Sequence, residues 1–372
     1  MEEVYLDNAA STEVKEKVLK EFVDVTRFVY GNPSSEHYYG MVARNFINGA
    51  KESISKSIHC DEDDIFFTTG ATMSNQLLIQ GFIAKHPNGM VITTNVEHND
   101  IMMLMDNLDC YKHILKVGKD GKINTDELSA ILEYSTDIMS VPTLVSIQMA
   151  NSETGIIQPI QKIASIVKQY DGAFLHMDAT QYIPYYPINL DCWGLDSISM
   201  SGQKIGGIKG SGLLVVRQAL RENIKPIIYG EQGLIGGTPS TPLISSLRVA
   251  FNTICYSRKL EEARNQLWEK LEELGAVLVG DMENRLPNNI YCRFPGVNGL
   301  TLLHLLSDHN IYIGTGSACS TDSDKPSHVA KAYGLTDEEA FECVRFTISK
   351  LGRDDIDYVA KVLKGILPLL LC

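Results

Sequence analysis

The sequence lacks any apolar segment long enough to span a membrane. Its most apolar stretch is the run at positions 365–372, far shorter than the ~20 residues that a membrane-spanning helix needs. The N-terminus, MEEVYLDNAAST, also lacks the basic segment followed by an apolar stretch that marks a secretory signal. We therefore predict a cytoplasmic protein that does not associate with membranes.

Basic residues are in the minority. Lys and Arg together number 33 and Asp and Glu 46 among the 372 residues, which gives a net charge of −13. A negatively charged surface repels phosphate backbones and anionic lipids. The composition therefore argues against nucleic acid as a partner.

Paired cysteines are missing as well. The eight cysteines include no CxxC motif and no pair at zinc-ligand spacing. We expect reduced thiols, most of them buried, with no disulfide framework and no metal site. They lie at positions 60, 110, 192, 255, 292, 319, 343 and 372.

What the sequence does contain is a regular alternation of short β-rich runs and stretches of helical periodicity. This alternation predicts an α/β fold with a mainly parallel, seven-stranded sheet and helices on both faces. The predicted strands are Ile65–Thr69, Met90–Thr94, His113–Val117, Thr143–Met149, Ala173–Asp178, Ser197–Ser201 and Gly212–Val216. The predicted helices between them include Thr72–His86, Asp126–Tyr134 and Ile160–Tyr170.

The pattern changes after Thr238-Pro239. A long charged helix over Arg258–Leu274 follows, then strand-like segments over Asn289–Arg293 and Ile311–Gly314, and a final helix from about Arg353. We predict a large domain over residues 15–250 and a smaller α+β domain formed by residues 1–14 and 251–372.

Ligands of open parallel sheets bind beyond the carboxyl ends of the strands, so polar residues just after each predicted strand are candidates. Ala71 and Thr72 open a helix after the first strand, where backbone N–H groups suit an anion; small residues that merely cap the helix are the alternative. Asp178 and Gln181 follow another strand, and Asp178 could equally cap the next helix.

Lys204 follows a further strand and is surrounded by glycines in the run SGQKIGGIKG. A lysine whose pKa is lowered by desolvation or by nearby cations can form a Schiff base. The glycines do not indicate a dinucleotide loop, since GxGxxG is absent and the run leads into a strand. A fourth candidate is Cys319, a possible nucleophile in the small-residue run GTGSACS.

Nine short motifs in this order resemble those of the cysteine desulfurases, pyridoxal-phosphate enzymes of the class V aminotransferase group. The resemblance runs from Tyr5 to about Arg345 and implies a fold-type I transferase of the long-loop branch. The motifs are YLDNAAST at 5–12, GNPSSEH at 31–37, FTTGAT at 67–72, EH at 97–98, NSETG at 151–155, HMDATQ at 176–181, SGQK at 201–204, GSACS at 316–320 and VRFT at 344–347.

The resemblance implies how pyridoxal 5′-phosphate would be bound. Lys204 would carry it as a Schiff base, Asp178 would keep the pyridine nitrogen protonated, and Gln181 would bond the ring oxygen. His98 would stack on the ring and could shuttle a proton, the alternative being a surface histidine. The resemblance further implies cofactor contacts, mainly to the phosphate, from Ala71, Thr72, Ser152, Ser201 and Gln203, and from Thr238 across a homodimer.

The resemblance also implies the reaction. Arg345 would clamp the carboxylate of L-cysteine beside Asn151, unless it is a surface arginine on a strand. Cys319 would take the sulfur as a persulfide and release L-alanine. The persulfide would then supply an acceptor protein for iron–sulfur cluster assembly or tRNA thiolation.

Four positions depart from the family pattern. Gln203 replaces a histidine, Ser152 replaces an asparagine, and Gln232 and Ile235 replace two arginines. A glutamine cannot titrate near neutral pH, and the missing arginines change the charge of their loop. The alternatives are therefore a selenocysteine lyase or another class V enzyme, or a weakly active scaffold that binds the cofactor.

Overall fold

The computed structural model describes residues 3–230, 233–316 and 325–370. Twelve strands and fourteen α-helices lie within these ranges. The strands are β1 (Val4–Tyr5), β2 (Ile65–Thr68), β3 (Met90–Thr94), β4 (Tyr111–Leu115), β5 (Thr143–Gln148), β6 (Ala173–Asp178), β7 (Ser197–Ser201), β8 (Gly212–Val216), β9 (Val277–Leu278), β10 (Asn289–Arg293), β11 (Ile311–Tyr312) and β12 (Cys343–Thr347). The helices are α1 (Glu16–Phe28), α2 (Tyr38–Ile58), α3 (Ala71–Lys85), α4 (Asn99–Asn107), α5 (Thr125–Glu133), α6 (Ile160–Val167), α7 (Leu190–Trp193), α8 (Gln218–Arg221), α9 (Thr241–Asn252), α10 (Lys259–Glu273), α11 (Gly299–Ser307), α12 (His328–Ala332), α13 (Asp337–Phe341) and α14 (Arg353–Leu370).

The largest sheet has seven strands in the order β2-β8-β7-β6-β5-β3-β4, as the alternation predicted. Only β8 runs against its neighbours. A short glycine-rich connection joins β7 to β8, and a connection of this length permits only an antiparallel return. The predicted fold class is confirmed. Four of the seven strands have the predicted bounds, and the bounds of β2, β4 and β5 differ from the prediction by one or two residues.

The central strands are buried on both faces, because helices cover the sheet. Every residue of β3 and of β5 is buried, which fits their β-branched, apolar sequences MVITT and TLVSIQ. Amphipathic helix α1 buries Val18 and Val25. Two small residues, Ala43 and Ala50, are the buried positions along the middle of α2.

Two smaller sheets complete the fold. Strands β12, β10 and β9 form an antiparallel sheet, and β1 pairs with β11 in parallel. A separate apolar cluster underlies these strands together with α10, α11 and α14. The N-terminal segment is therefore hydrogen-bonded to the C-terminal third of the chain, while the division into two domains stays a prediction.

The six described cysteines contain no disulfide. Cys292 and Cys343 are buried, Cys192 and Cys255 are exposed, and the remaining two are half-buried. The expectation that most cysteines are buried is therefore wrong for the described ones. The prediction of burial failed because cysteines scattered along the chain form no periodic pattern from which a buried face could be identified.

Candidate functional site

A polar cavity lies at the carboxyl ends of the parallel strands. It brings together ten of the residues predicted from sequence, although they come from six separate segments of the chain. The predicted residues that line it are Ala71, Thr72, His98, Ser152, Asp178, Gln181, Ser201, Gln203, Lys204 and Arg345. Ala9, Ala10, Asp100, Gln148, Ala150 and Thr180 complete the lining.

Asp178, the last residue of β6, places a half-buried carboxyl group at this cavity. Its Oδ2 accepts a hydrogen bond from Nδ2 of Asn75 at 2.9 Å, and its Oδ1 accepts one from the backbone N–H of Thr180 at 2.9 Å. Burial raises the pKa of Asp178 above its ordinary value. It forms no ion pair with any described residue, so a cationic ligand would satisfy its charge.

A buried polar layer behind Asp178 holds Asn75 in place. Oδ1 of Asn75 lies 3.1 Å from Nε2 of His176 and accepts a hydrogen bond from the hydroxyl of Ser199 at 2.5 Å. Burial lowers the pKa of His176 to about 3, so this imidazole is neutral at physiological pH. Asn75 was not predicted from sequence, because α3 carries several other polar residues and nothing in its pattern distinguishes this asparagine.

Lys204 ends a 3-10 turn that follows β7. Its Nζ donates hydrogen bonds to the carbonyl oxygens of Ala9 and Ala10, each at 2.6 Å, and Nε2 of Gln181 donates to the oxygen of Ala9 at 3.0 Å. The N-terminal motif YLDNAAST therefore supplies the carbonyl groups that hold the lysine amine at the cavity. The motif is one of the nine that carry the family resemblance, and this contact was not predicted from sequence.

The amino end of α3 forms a site suited to an anion. The hydroxyl oxygen of Ser201 accepts a hydrogen bond from the backbone N–H of Ala71 at 2.8 Å, and Thr72 lines the cavity beside it. Gly70 precedes the helix at a φ of 152°, and a Cβ on Gly212 would lie 2.5 Å from its Cα. Glycine at position 212 thus permits the close approach of β8 to the start of α3, and the N-terminus of a helix suits a phosphate.

His98 caps the amino end of α4. Its Nδ1 lies 2.8 Å from Oδ1 of Asp100, which the sequence analysis did not single out. The preceding residue, Glu97, is completely buried; Thr94 donates a hydrogen bond to its Oε1 and the backbone of Gln148 donates one to its Oε2. Burial is the largest cause that raises the pKa of Glu97, to about 8.

Arg345 on β12 is buried, which rules out the surface alternative. Its Nη1 donates to the carbonyl oxygen of Ser152 at 2.8 Å, and its Nη2 donates to Oδ1 of Asp7 at 2.8 Å. Its Nε has no hydrogen-bond partner in the described part of the chain. A Cβ on Gly314 would lie 2.9 Å from Nη2, so glycine makes the room that the guanidinium group occupies.

Two described residues among those predicted do not line this cavity, Asn151 and Thr238. Nδ2 of Asn151 donates to the carbonyl oxygen of Val96 at 2.8 Å, and its Oδ1 accepts from the backbone of Glu153 and Thr154. The amide of Asn151 therefore holds its own loop, and its assignment as a substrate contact stays a prediction. Thr238 lines a second, larger cavity instead. Cys319 lies outside the described residues.

The positions that depart from the family pattern are distributed between the two cavities. Ser152 and Gln203 line the polar cavity, whereas Ile235 lines the larger one and packs against a neighbouring apolar cluster. Gln232 lies outside the described residues. Within the described ranges there is no cluster of three or more residues able to bind a metal ion, and no helix long and apolar enough to cross a bilayer.

Comparisons with known proteins agree with one another. The sequence profile of the family described as "Aminotransferase class-V" matches residues 4–357. The "Cysteine desulfurase IscS" of Dictyoglomus turgidum is 34% identical over 98% of this chain and 94% of its own. The "Cysteine desulfurase IscS 1" of Archaeoglobus fulgidus is also 34% identical, over 98% of this chain and 96% of its own.

Solved structures show the same similarity. A chain titled "NIFS-LIKE PROTEIN" superposes with a TM-score of 0.89 at 30% identity and covers 99% of this chain and 100% of its own. Another, titled "SspA in complex with cysteine", superposes with a TM-score of 0.81 at 30% identity, covering 93% of this chain and 98% of its own.

Proposed function

Because the chain belongs to the class-V aminotransferase family and, within it, to the cysteine desulfurases, we propose that it converts L-cysteine to L-alanine with bound pyridoxal 5′-phosphate. The observation that carries this proposal is the meeting of Lys204, Asp178 and Arg345 in one cavity. These three side chains offer an amine, a half-buried carboxyl group and a buried guanidinium group, which suit a carbonyl cofactor, its ring nitrogen and an amino-acid carboxylate.

The donor set fits pyridoxal phosphate. The carboxyl group of Asp178 would face the pyridine nitrogen and Lys204 would carry the cofactor. When bound, the cofactor withdraws electrons from the amino acid attached to it. The raised pKa of Asp178 reflects a desolvated carboxyl group without a cation beside it, and a protonated ring nitrogen would stabilise its ionised form.

The remaining polar residues suit the other edges of the cofactor. The N-terminus of α3, with Ala71 and Thr72, would hold the phosphate beside Ser201 and Gln203, since N–H groups and hydroxyls donate to phosphate oxygens. Gln181 would donate to the ring oxygen, and Ser152 would contact the ring or substrate. His98 would stack on the ring and move a proton at the reacting atoms.

Arg345 is proposed to bind the substrate carboxylate. Its Nε–H and the remaining N–H of Nη2 lie on one edge of the planar guanidinium, and this edge can donate two parallel hydrogen bonds to a carboxylate. The contacts with Ser152 and Asp7 fix the orientation of the guanidinium before the substrate arrives. Fixed orientation lowers the entropy lost on binding.

Cys319 is proposed to receive the sulfur. Its thiolate would attack the sulfur of the bound cysteine, the carbon–sulfur bond would break, and the electron pair would pass to the substrate carbon, which gains a proton. L-Cysteine and one protein thiol thus give L-alanine and one persulfide, with no external oxidant. The persulfide would pass its outer sulfur to an acceptor protein, for iron–sulfur cluster assembly or tRNA thiolation.

A homodimer is also proposed. Thr238 and Pro33 line the second cavity, away from this protomer's own cofactor site, so Thr238 is available to a second subunit's phosphate. Close to Pro33 in sequence, Phe28, Tyr30 and Tyr38 expose 70% or more of their surfaces. Exposed aromatic clusters of this kind mark protein interfaces. Sedimentation should give twice the chain mass of 41.2 kDa.

The function is tested by measuring alanine release and visible absorbance with the purified protein. We also propose that the protein is cytoplasmic. Wild type should form alanine from L-cysteine with added thiol. Lys204→Ala should lose both the alanine and the absorbance of the lysine-bound cofactor. Lys209→Ala, a change of a nearby exposed lysine, should retain both.

Two further arms separate the alternatives. Cys319→Ala should keep the absorbance, because cofactor binding does not need the thiol. It should release no sulfur, because the thiol that receives the sulfur is missing. Activity with L-selenocysteine but not with L-cysteine would indicate a selenocysteine lyase. A wild-type protein that binds cofactor yet releases no alanine from either substrate would indicate a scaffold.

A further inference from the structure

Asp100 forms a close polar pair with His98 at the edge of the cavity. Nδ1 of His98 and Oδ1 of Asp100 are 2.8 Å apart, and both residues line the cavity. The Asp100 side chain is 9% exposed and that of His98 is 29% exposed. The pair is therefore partly shielded from water, where a charge-assisted hydrogen bond is stronger than at an open surface.

The distance determines which ring nitrogen carries the proton. An ionised carboxylate can only accept, so a contact of 2.8 Å requires a proton on Nδ1. The backbone N–H of Asp100 also points at Nδ1, but from 3.4 Å, and it could donate only if Nδ1 were unprotonated. The shorter, charge-assisted contact favours the Nδ1–H form, in which Nε2 of the neutral ring carries the lone pair.

The location of His98 makes a counter-charge useful. His98 caps a nine-residue helix, and the positive end of the helix dipole disfavours an imidazolium ion there. Lys204 and Arg345 add positive charge to the same cavity. Asp100 is two residues away and supplies a negative charge in contact with the ring.

We propose that Asp100 is a positioning residue that holds His98 with its proton on Nδ1, makes Nε2 the proton-accepting atom, and stabilises the imidazolium formed when Nε2 takes a proton. The inference rests on the proposed function only where it assigns His98 to proton transfer. The arrangement of the pair itself stands on the hydrogen-bond geometry.

The electrostatic environment of the His98 imidazole also includes other charged groups. Asp100 interacts electrostatically with Glu97 and with Asp178. Glu97 is buried behind the cavity, and its backbone oxygen accepts a hydrogen bond from Nε2 of His328. The ionisable residues of the cavity and its immediate surroundings are Glu97, Asp100, Asp178, Lys204, His328 and Arg345.

The test uses NMR on the full-length protein with its cofactor bound and with its histidine side chains labelled with ¹⁵N. The His98 signals are assigned by their loss in His98→Gln. In wild type they should show a proton on Nδ1 in the neutral form. Asp100→Asn removes the charge with little change in shape, and should lower the pKa of His98 by about one unit or more.

Asp106→Asn is the matched control, because Asp106 is an exposed aspartate on the same helix. It should leave both the tautomer and the pKa of His98 unchanged. A wild-type His98 with its proton on Nε2, or a pKa unchanged by Asp100→Asn, would overturn the inference.

The activity readout separates this inference from the proposed function. In Asp100→Asn the acidic limb of the pH profile should move to lower pH in step with the His98 pKa, and kcat should fall about tenfold or more with little change in KM. If wild type shows the predicted tautomer but makes no alanine, the proposed function fails while the pairing stands. If alanine forms normally and the profile does not move with the His98 pKa, the pairing plays no part in proton transfer and the inference is wrong.

Discussion

The cavity has two walls that hold opposite charges by different means. The sheet wall carries Asp178, which neutral donors from Asn75 and Thr180 hold in place. The arginine wall carries Arg345, which is already paired with Asp7. A carboxylate without a counter-ion suits a cofactor that stays bound, whereas a guanidinium that is partly neutralised suits a substrate that must leave.

The walls also differ in how the chain assembles them. The sheet wall consists of residues at the ends of neighbouring strands, whose positions follow from the sheet. The arginine wall joins residues far apart in sequence, since Asp7 and Arg345 are separated by 338 positions. Its geometry depends on the pairing of β1 with β11 and on the close approach of Gly314. Substitutions in the two walls should therefore have different kinds of effect.

The largest effect is expected from breaking the sheet wall with Asp178→Asn. The variant keeps the shape but removes the charge that the ring nitrogen needs. Loss of one partner of a buried charge pair costs about 3 kcal/mol, on the order of a hundredfold in kcat/KM or cofactor affinity. Asp171→Asn, at an exposed position two residues before the same strand, should change neither quantity. Equal effects from the two variants would contradict the role of Asp178.

A smaller effect is expected from Arg345→Lys in the arginine wall. Lysine retains the charge but loses the planar fork, and hydrogen bonds to charged groups are worth about 2 kcal/mol, or roughly 30-fold in affinity. KM for L-cysteine should rise by about that factor, while the cofactor absorbance stays unchanged. Arg353→Lys, at an exposed position, is the control. A loss of cofactor with an unchanged KM would contradict the role of Arg345 in binding the substrate carboxylate.

Gly314→Ala sharpens the comparison without changing a charge. The added Cβ would lie 2.6 Å from Oδ1 of Asp7, so the ion pair with Arg345 must shift. Overpacking costs about 1–3 kcal/mol, and we expect KM to rise about tenfold, with a lower melting temperature. In Gly365→Ala nothing lies within 4 Å of the new Cβ, and that variant should melt no lower than wild type. An unchanged KM in Gly314→Ala would contradict the claim that substrate binding depends on the position of the Asp7–Arg345 ion pair.

The smallest effect on activity concerns Glu97, which is buried behind the cavity; its contribution appears in the pH dependence of stability. Its pKa in the folded protein is raised from 4.5 to about 8, so between these values the folded state binds more protons than the unfolded state. The free energy of unfolding therefore falls as pH rises through this window. Glu97→Gln removes this contribution, because a glutamine can still bond Thr94 and Gln148.

We expect Glu97→Gln to flatten the stability profile between about pH 5 and pH 8, with its largest gain over wild type at the upper end. Urea unfolding at a series of pH values measures it. Glu269→Gln, which changes a glutamate on the surface of α10, is the control. A variant whose stability falls with pH as steeply as wild type would contradict the raised pKa.

Sequence reasoning recovered the sheet wall because its residues follow predictable strands. Asp178, Ser201 and Lys204 lie at or just after strand ends that periodicity locates, and the carboxyl ends of parallel strands share one edge. Arg345 was assigned from the family resemblance alone, and its burial and its pairing with Asp7 became visible only in the fold. No local pattern predicts β1, because a strand of two residues has no periodicity.

Loop geometry also limits what the sequence can predict about adjacent polar residues. Asn151 and Ser152 are adjacent, yet Ser152 lines the cavity while the amide of Asn151 is used within the loop. Which of two adjacent polar residues faces a ligand depends on loop geometry, which hydrophobic periodicity does not encode. Asn75 and Asp100 were missed because each lies on a helix whose sequence reads as ordinary, and only tertiary contacts distinguish them.

The most direct test of the central claim is a single turnover with one equivalent of L-cysteine and no reductant, followed by mass spectrometry of the peptide that contains Cys319. The proposed function predicts one equivalent of alanine and a mass gain of one sulfur atom on that peptide, with both absent in Lys204→Ala. Alanine without added sulfur on Cys319, or no alanine from a protein that holds its cofactor, would contradict it.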